Sequence, residues 1–502
     1  MAFSFRMMTA ATVAALLSGC AAIPDLGPQP TVRAPQGVEA QRSLAAQPAA
    51  WPGDGWWTAY GDPQLTALIE EGLRNAPDMN IAAARVAQAL AMAQQSGAAL
   101  LPTVDAEGRT AATKQSYNMG MPSTFVPKGW LGTGQAALSL GFDLDLWGKN
   151  RAALAAATSQ ARAAEIDAQQ ARLTLTTAIA DAYADLDRLY DEADIAQQTL
   201  DLRLASQKLV AQRRDNGLET RGGERQADAT VSTARADLAG AKMAIELRQH
   251  QIAALIGAGP DRGLSITRPQ PGGLAPLGLP ADVTTNLVAR RPDIAAALAR
   301  TEAAARQIKV ARADFFPALR LDALIGVQSL GWETLFGSGG LDSITTGSRS
   351  FTDTIFKKDS IYGNVGPAIS LPIFHGGALR GRYRDARATY DEAVATYDKT
   401  VLTAYQQVAD AVTSRRTLDQ RLIDARAALK ASEEAYGVAR RRYEGGLSTY
   451  LDVLTVEDRL LSARRGVSDL EASAFSLDIA LIRALGGGFA VSADQSKDQP
   501  HG

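Results

Sequence analysis

Residues 135–147 read QAALSLGFDLDLW. Side chains alternate across a strand, so Ala136, Leu138, Leu140, Phe142, Leu144 and Leu146 share one face and Gln135, Ser139, Gly141, Asp143 and Asp145 the other. An apolar face backed by a polar one over such a length is the pattern of a tilted membrane strand, with lipid outside and water inside. Trp147 ends the run where an interfacial aromatic belongs. Upstream, Val104, Ala106, Gly108 and Thr110 alternate with Thr103, Asp105, Glu107 and Arg109, and a polar tip over 116–129 joins the two runs into a hairpin. The pattern then recurs. Leu319, Leu321, Ala323, Ile325 and Val327 alternate with Arg320, Asp322 and Gln328, and Val365, Ile369, Leu371 and Ile373 alternate with Asn364, Ala368 and Ser370, ending at Phe374. A single hairpin of this kind would suit a soluble sheet with one buried face. Two at corresponding positions favour the membrane.

The correspondence extends along the chain. Pro77-Asp78 stands 25 residues before Pro102 and Pro292-Asp293 stands 25 before Pro317, with Arg85 and Arg300 matching between them. Gly217-Leu218 precedes Gly257 by 40 residues, and Gly446-Leu447 precedes Gly486 by 40. This is an internal duplication with a spacing of 215 to 229 residues. Each half supplies two strands, and four strands close no known barrel, so at least two copies of the chain must share one.

After each return strand comes a helical stretch without proline, over 149–214 and 377–443, each ~100 Å long at 1.5 Å per residue. Ile179, Tyr183, Leu186, Tyr190, Ala193, Leu200 and Leu204 keep a heptad spacing, as do Leu422, Ala425, Leu429, Ser432, Tyr436, Ala439 and Tyr443. Such narrow, alanine-rich seams suit close helix packing around a channel. Both helices end alike: Arg213-Arg214 precede Asp215-Asn216-Gly217-Leu218, and Arg440-Arg441-Arg442-Tyr443 precede Glu444-Gly445-Gly446-Leu447. Basic residues complement the negative helix end, and glycine supplies the left-handed cap that lets the chain turn. Return helices follow over 220–256 and 449–485. With a helix over 77–100, the first of these makes a split pair that matches one long helix in length.

The remaining composition excludes several classes. With 52 basic and 54 acidic residues in 502, no electrostatic footprint for nucleic acid is present. The three histidines (His250, His375, His501) and the single cysteine (Cys20) have no metal-ligand spacing, and no catalytic constellation can be assembled. No metal, cofactor or enzymatic activity is expected. Gly257-Ala258-Gly259 lacks the helix and lysine of a phosphate cradle. Asp181 and Asp185, one helical turn apart, read as a solvated face. At the start, Arg6, an apolar run over 7–17 and Leu17-Ser18-Gly19-Cys20 read as a signal peptide ending in a lipobox-like tetrapeptide. An ordinary signal peptide with an incidental cysteine is the plainer alternative. Acylation of Cys20 would anchor the chain, with Ala21 in place of aspartate resembling lipoproteins sent to the outer membrane. The proline-rich stretch that follows reads as an extended tether.

The motifs Trp56-Trp57 with Asp62-Pro63, Leu68-Ile69 and Asn75, then Arg290-Arg291-Pro292-Asp293-Ile294, Ala311-Arg312-Ala313-Asp314-Phe315-Phe316-Pro317, and Tyr443 with Gly446 and Tyr450-Leu451-Asp452-Val453-Leu454 occur in order from Cys20 to about Gly487. Together they resemble the TolC-type outer-membrane factor family, in its OprM/NodT-like lipoprotein branch. The resemblance implies an α+β membrane protein: a homotrimer whose four strands per chain form a 12-stranded barrel, continued by a 12-helix periplasmic tunnel. It also implies docking to a periplasmic membrane-fusion adaptor and an inner-membrane pump. By resemblance, Asp452 matches an aspartate ringing the periplasmic entrance and Tyr443 a latch tyrosine. Gly222-Gly223 and Ser448 replace the usual latch partners, so Arg441, Arg442 and Glu444 are the candidates in their place, with plain helix-end electrostatics as the alternative. The tip turns are Gly217-Leu218 and Gly446-Leu447.

The implied division is a signal peptide (1–19), lipidated tether (20–55), short helices (56–101), first hairpin (102–147), long helix with tip turn and return helix (148–257), and equatorial connection (258–291). The second half repeats a helix (292–316), hairpin (317–374) and long helix with turn and return helix (375–486), before a tail (487–502). The expected function is a passive outer-membrane exit duct of a tripartite efflux system. A duct for type I protein secretion and a non-pore, lipid-tethered coiled-coil protein are the alternatives.

Overall fold

The computed structural model describes residues 23–490 except 35–37, 46, 119, 121, 123–128, 271–277 and 331–359. The expected signal peptide, Cys20 and tail residues 491–502 lie outside the described residues. The chain divides into two compact units, one of Met1–Gln29, Ala89–Ala161 and Thr301–Glu392 and one of Pro30–Gln88, Arg162–Arg300 and Ala393–Gly502.

The elements repeat in kind and in length. A three-ten turn over Trp56–Tyr60 precedes α1 (Pro63–Asn75) and α2 (Pro77–Ala98), then β1 (Thr103–Thr113), β2 (Leu131–Asp143), α3 (Lys149–Asp215) and α4 (Arg221–Leu255). Two short helices, α5 (Pro260–Gly263) and α6 (Val283–Arg290), lead to α7 (Pro292–Ala313), β3 (Ala318–Leu330), β4 (Ile361–Ser370), α8 (Ala378–Glu444) and α9 (Tyr450–Ala484). Both α2 and α7 have 22 residues, α3 and α8 have 67, and α4 and α9 have 35. Among the described residues no helix is long and apolar enough to cross a membrane.

In the first unit the strands form one antiparallel sheet in the order β1-β2-β3-β4. Its register aligns the sequence pattern into rows. Val104 lies opposite Leu140, which pairs with Ala323 and then Val365, and the next row is Ala106, Leu138, Ile325 and Gly363. Val104, Leu138, Ile325, Ile361, Val365 and Ile369 are exposed on this apolar face. The opposite rows carry Asp105 with Ser139, Leu324 and Asn364, and Arg109 with Gln135 and Gln328. Leu324 breaks the polar face.

The strand ends differ from the periodicity in a physically clear way. β2 ends at Asp143, because Asp145 takes a left-handed backbone at φ 41° and its carboxylate accepts the Asn150 and Arg151 amides at 2.8 and 3.0 Å, starting α3. Trp147 leaves the strand, donates its indole N–H to the Pro317 carbonyl at 2.7 Å and stacks on Phe316 at 4.8 Å between ring centroids. β4 ends at Ser370, short of the expected Ile373.

In the second unit, α1 starts where the sequence dictates. Asp62 caps it by accepting the Gln64 and Leu65 amides, and Pro63 sits at its first position. Its buried face, Leu65, Leu68 and Ile69, packs with Trp56, Trp57 and Tyr60 and with Ile179, Tyr183 and Leu186 of α3. A second cluster gathers Leu279, Val283, Leu287 and Ile294 around Tyr397, Val401, Tyr405 and Val408 of α8. Two stretches depart from expectation. The connection over 258–291 is not wholly irregular, since it holds α5 and α6. Part of the tether is docked: Ala40 and Leu44 are buried in the second cluster, Pro48 bridges to Leu279, and the Trp51 indole donates to Asp282 at 2.9 Å.

Where each return helix ends, a glycine meets the backbone of the segment before α2 or α7. A Cβ at Gly257 would stand 2.5 Å from the Asn75 carbonyl oxygen, and one at Gly486 would stand 1.9 Å from that of Arg290. Both residues also have φ near +80 to +90, at 77° and 90°. Glycine is the only residue that satisfies space and backbone together.

Candidate functional site

The two tip turns are built from the same hydrogen bonds. The Leu218 and Gly217 amides donate to the Arg213 and Arg214 carbonyls, at 2.8 and 2.9 Å, and the Leu447 and Gly446 amides to those of Arg442 and Tyr443 at the same distances. Gly217 and Gly446 sit at φ 73° and 76°, which completes two Schellman-type caps. Leu218, Leu447 and Leu451 are left exposed.

The following caps differ. The Thr220 hydroxyl accepts the Gly223 amide, and the Thr220 amide and hydroxyl donate at 2.9 and 3.4 Å to the carboxylate of the preceding Glu219 instead of to a residue of the helix. Thr449 forms a complete capping box with Asp452, whose carboxylate accepts the Thr449 amide at 2.9 Å and hydroxyl at 2.8 Å. Those bonds, backbone first, hold the Asp452 carboxyl below its ordinary range, with Arg442 assisting. Asp452 therefore has a local helix-starting role in this chain.

Tyr443 is buried among Val210, Ala227, Tyr450 and Val453. Its hydroxyl donates to Glu219 Oε2 at 2.8 Å, and the Arg213 guanidinium lies 4.6 Å over its ring. Burial, then the Glu219 carboxylate, pushes the phenol above its usual range. Arg213 also donates to the Glu444 carbonyl at 3.2 Å, so α3 and its turn are tied to the end of α8 at two points.

Of the expected latch candidates, Glu444 enters through its carbonyl while its carboxylate accepts from Arg440 at 2.9 Å. Arg441 and Arg442 hold the turn through backbone carbonyls, and among the described residues their side chains make no hydrogen bond or ion pair. The partners that the sequence reading missed are Glu219 and Arg213. Glu219 occupies the position corresponding to Ser448, so comparing the repeats at the turn itself would have exposed it. The carboxylates Asp181 and Asp185 are half-buried, contrary to the solvated face expected of them. Asp185 lies 2.8 Å from Arg188 and 2.5 Å from Arg248, and burial pushes Asp181 up to about 6 against the pull of Arg483. Among the described residues no cluster of His, Cys, Asp and Glu could hold a metal.

The profile for "Outer membrane efflux protein" matches residues 68–258 and 283–487, one match per repeat. The chain is 40% identical to the outer membrane protein VceC of Vibrio cholerae, whose crystal structure aligns over 88% of this chain and 100% of that one with a TM-score of 0.77. The pyoverdine export outer membrane protein OpmQ of Pseudomonas aeruginosa is 30% identical over 440 residues, covering 86% of this chain and 87% of OpmQ. The fusaric acid resistance protein FusA of Burkholderia cepacia is 33% identical over 382 residues, 75% of this chain and 68% of FusA. Both repeats of this chain match the outer membrane efflux protein family, and the chain belongs to it.

Proposed function

We propose that this outer membrane efflux protein is a passive exit duct for small organic solutes, assembled as a homotrimer. Three copies bring their four-stranded sheets into one 12-stranded barrel, and their helices continue it as a periplasmic conduit. The paired tip turns form the entrance, and a periplasmic membrane-fusion adaptor with an inner-membrane pump delivers cargo and supplies the energy. An acylated Cys20 adds an anchor in the outer membrane. The observation that carries this reading is the open sheet. Among the described residues β1 and β4 are both edges and one face of the sheet is apolar and exposed, which supports a sheet completed by further copies with that face in lipid.

The test joins the cell to the purified protein. Deletion should raise sensitivity to hydrophobic toxicants, and the protein should migrate as a heat-modifiable trimer and give single-channel conductance in planar bilayers. Unchanged sensitivity across a broad panel, with no conductance, would overturn the proposal.

A further inference from the structure

Beneath the Tyr443 tie, Glu457 of α9 is 0% exposed, and Arg203 of α3, which faces it, is also buried. Arg203 Nε stands 3.0 Å from Glu457 Oε1, and Nη2 stands 2.5 Å from the exposed carboxylate of Asp458. Neither oxygen of Glu457 is aligned for a hydrogen bond, and neither is Arg203 Nη1. The other groups around this carboxylate are Ser206 of α3, Tyr436 of α8 and Tyr450 of α9, with Arg440 acting on Tyr436 and the neutral Thr230 of α4 against Tyr450. Ser206, Tyr436 and Tyr450 also line an adjoining cavity of about 210 Å³. A buried carboxylate supported only by one misaligned cation and the Ser206 hydroxyl is poorly compensated for its lost hydration. Its proton would remove that cost, and Arg203 would keep Asp458.

We propose that Glu457 and Arg203 form a proton-controlled clamp between α3 and α9, which holds the helix pair below the turns when Glu457 is protonated and loosens it when Glu457 is ionised. Burial raises the Glu457 carboxyl from 4.5 to about 7, with Arg203 opposing, Asp458 adding to the rise and the Ser206 hydroxyl easing it slightly. In a loosened arrangement, water would reach the carboxylate and return it to its ordinary value. The state with the higher pKa binds more protons and is favoured by acid, so acidification through this window tightens the clamp and alkali releases it. The consequence for the duct rests on the function proposed above, because only then do these helices border its entrance.

Hydrogen exchange of the full-length assembled protein, corrected for intrinsic rates, reads the clamp directly in peptides around Arg203, near the end of α3, and from the start of α9. Between about pH 8 and pH 5.5, local opening in the wild type should become at least about tenfold rarer. Glu457→Gln should show the slow exchange at both values, and Arg203→Met should move the transition to higher pH. Equal corrected rates at both pH values in the wild type, or an undiminished pH response in Glu457→Gln, would overturn the clamp. If Glu457→Gln does not assemble, an unmoved transition in Arg203→Met overturns it instead. Bilayer conductance with pH varied on the periplasmic side reads the link to the duct. Exchange that follows the expectation without any change in conductance upholds the clamp and counts against the entrance reading alone.

Discussion

The Tyr443 hydroxyl donates to the Glu219 carboxylate at 2.8 Å, joining a tyrosine at the end of one long helix to an acid just beyond the end of the other. A hydrogen bond from a buried phenol to a carboxylate contributes about 1.5 to 3 kcal/mol. Tyr443→Phe keeps the packing against Tyr450 and removes only that bond, so it should loosen the paired turns without unfolding the chain. Tryptic cleavage at Arg213 and Arg214 in the folded protein should accelerate, and Glu219→Gln should reproduce part of the effect. Equal cleavage rates would show that Arg213 alone ties the turns.

Two glycine substitutions should have opposite outcomes. Gly486→Ala forces a Cβ within 1.9 Å of the Arg290 carbonyl at a φ of 90°, so clash and backbone strain coincide. A loss of roughly 3 kcal/mol or more is expected, read as a lower melting temperature and poor assembly. Gly240, within α4, has open space around its Cβ position. Gly240→Ala should leave stability unchanged or raise it by up to about 1 kcal/mol.

Acid should release one specific network. Burial pushes the Asp62 carboxyl up, but the Tyr183 hydroxyl and the Gln270, Leu65 and Gln64 amides donate to it and hold it below its ordinary value. A depressed folded-state pKa contributes stability above the unfolded value and loses it as pH falls through the folded one. Asp62→Asn should therefore destabilise the protein at neutral pH by about 1 to 3 kcal/mol and flatten the acid side of its stability profile. Parallel profiles for the two proteins would exclude Asp62 as the source.

A Cys20→Ala variant should take up no labelled palmitate and yet assemble with an unchanged melting temperature. The segment after the cysteine has its own attachment, in the backbone bonds of Gln47 and Ala49 to Leu279 and in the Trp51 indole on Asp282. Retained palmitate would remove Cys20 as the acylation site.

The duplication, the helix limits and the strands were legible because proline and glycine mark them. Pro77, Pro292, Gly217 and Gly446 each stand at an element boundary. The expected ends of β2 and β4 overran by three residues, since alternation continues through Leu144 and Leu146 after Asp145 has already turned the backbone. The short helices α5 and α6 were hidden by the density of proline and glycine around them. The docking of Ala40, Leu44 and Trp51 was hidden because isolated apolar residues carry no period. Glu219 and Arg213 were missed for another reason. Their partners lie in the other repeat, and a pairing between repeats leaves no spacing within either.

The central ladder of the sheet joins the two repeats, because β2 belongs to the first and β3 to the second. β3 corresponds to β1 and β4 to β2, as the matched pairs Thr103 with Gly141 and Ala318 with Ser370 require. In the proposed trimer, the ladder that sets Gly141 opposite Asp322 and Ser139 opposite Leu324 is a copy, inside each chain, of the seam its outer edges would make with a neighbour. Transferred to that seam, the same offsets put Ser370 against Glu107 and Ala368 against Arg109 of the adjoining copy. The proposed assembly would then have a grammar already written inside the monomer: a ring of three chains would be a ring of six like modules, in which half the joints are covalently connected and half must be found by diffusion.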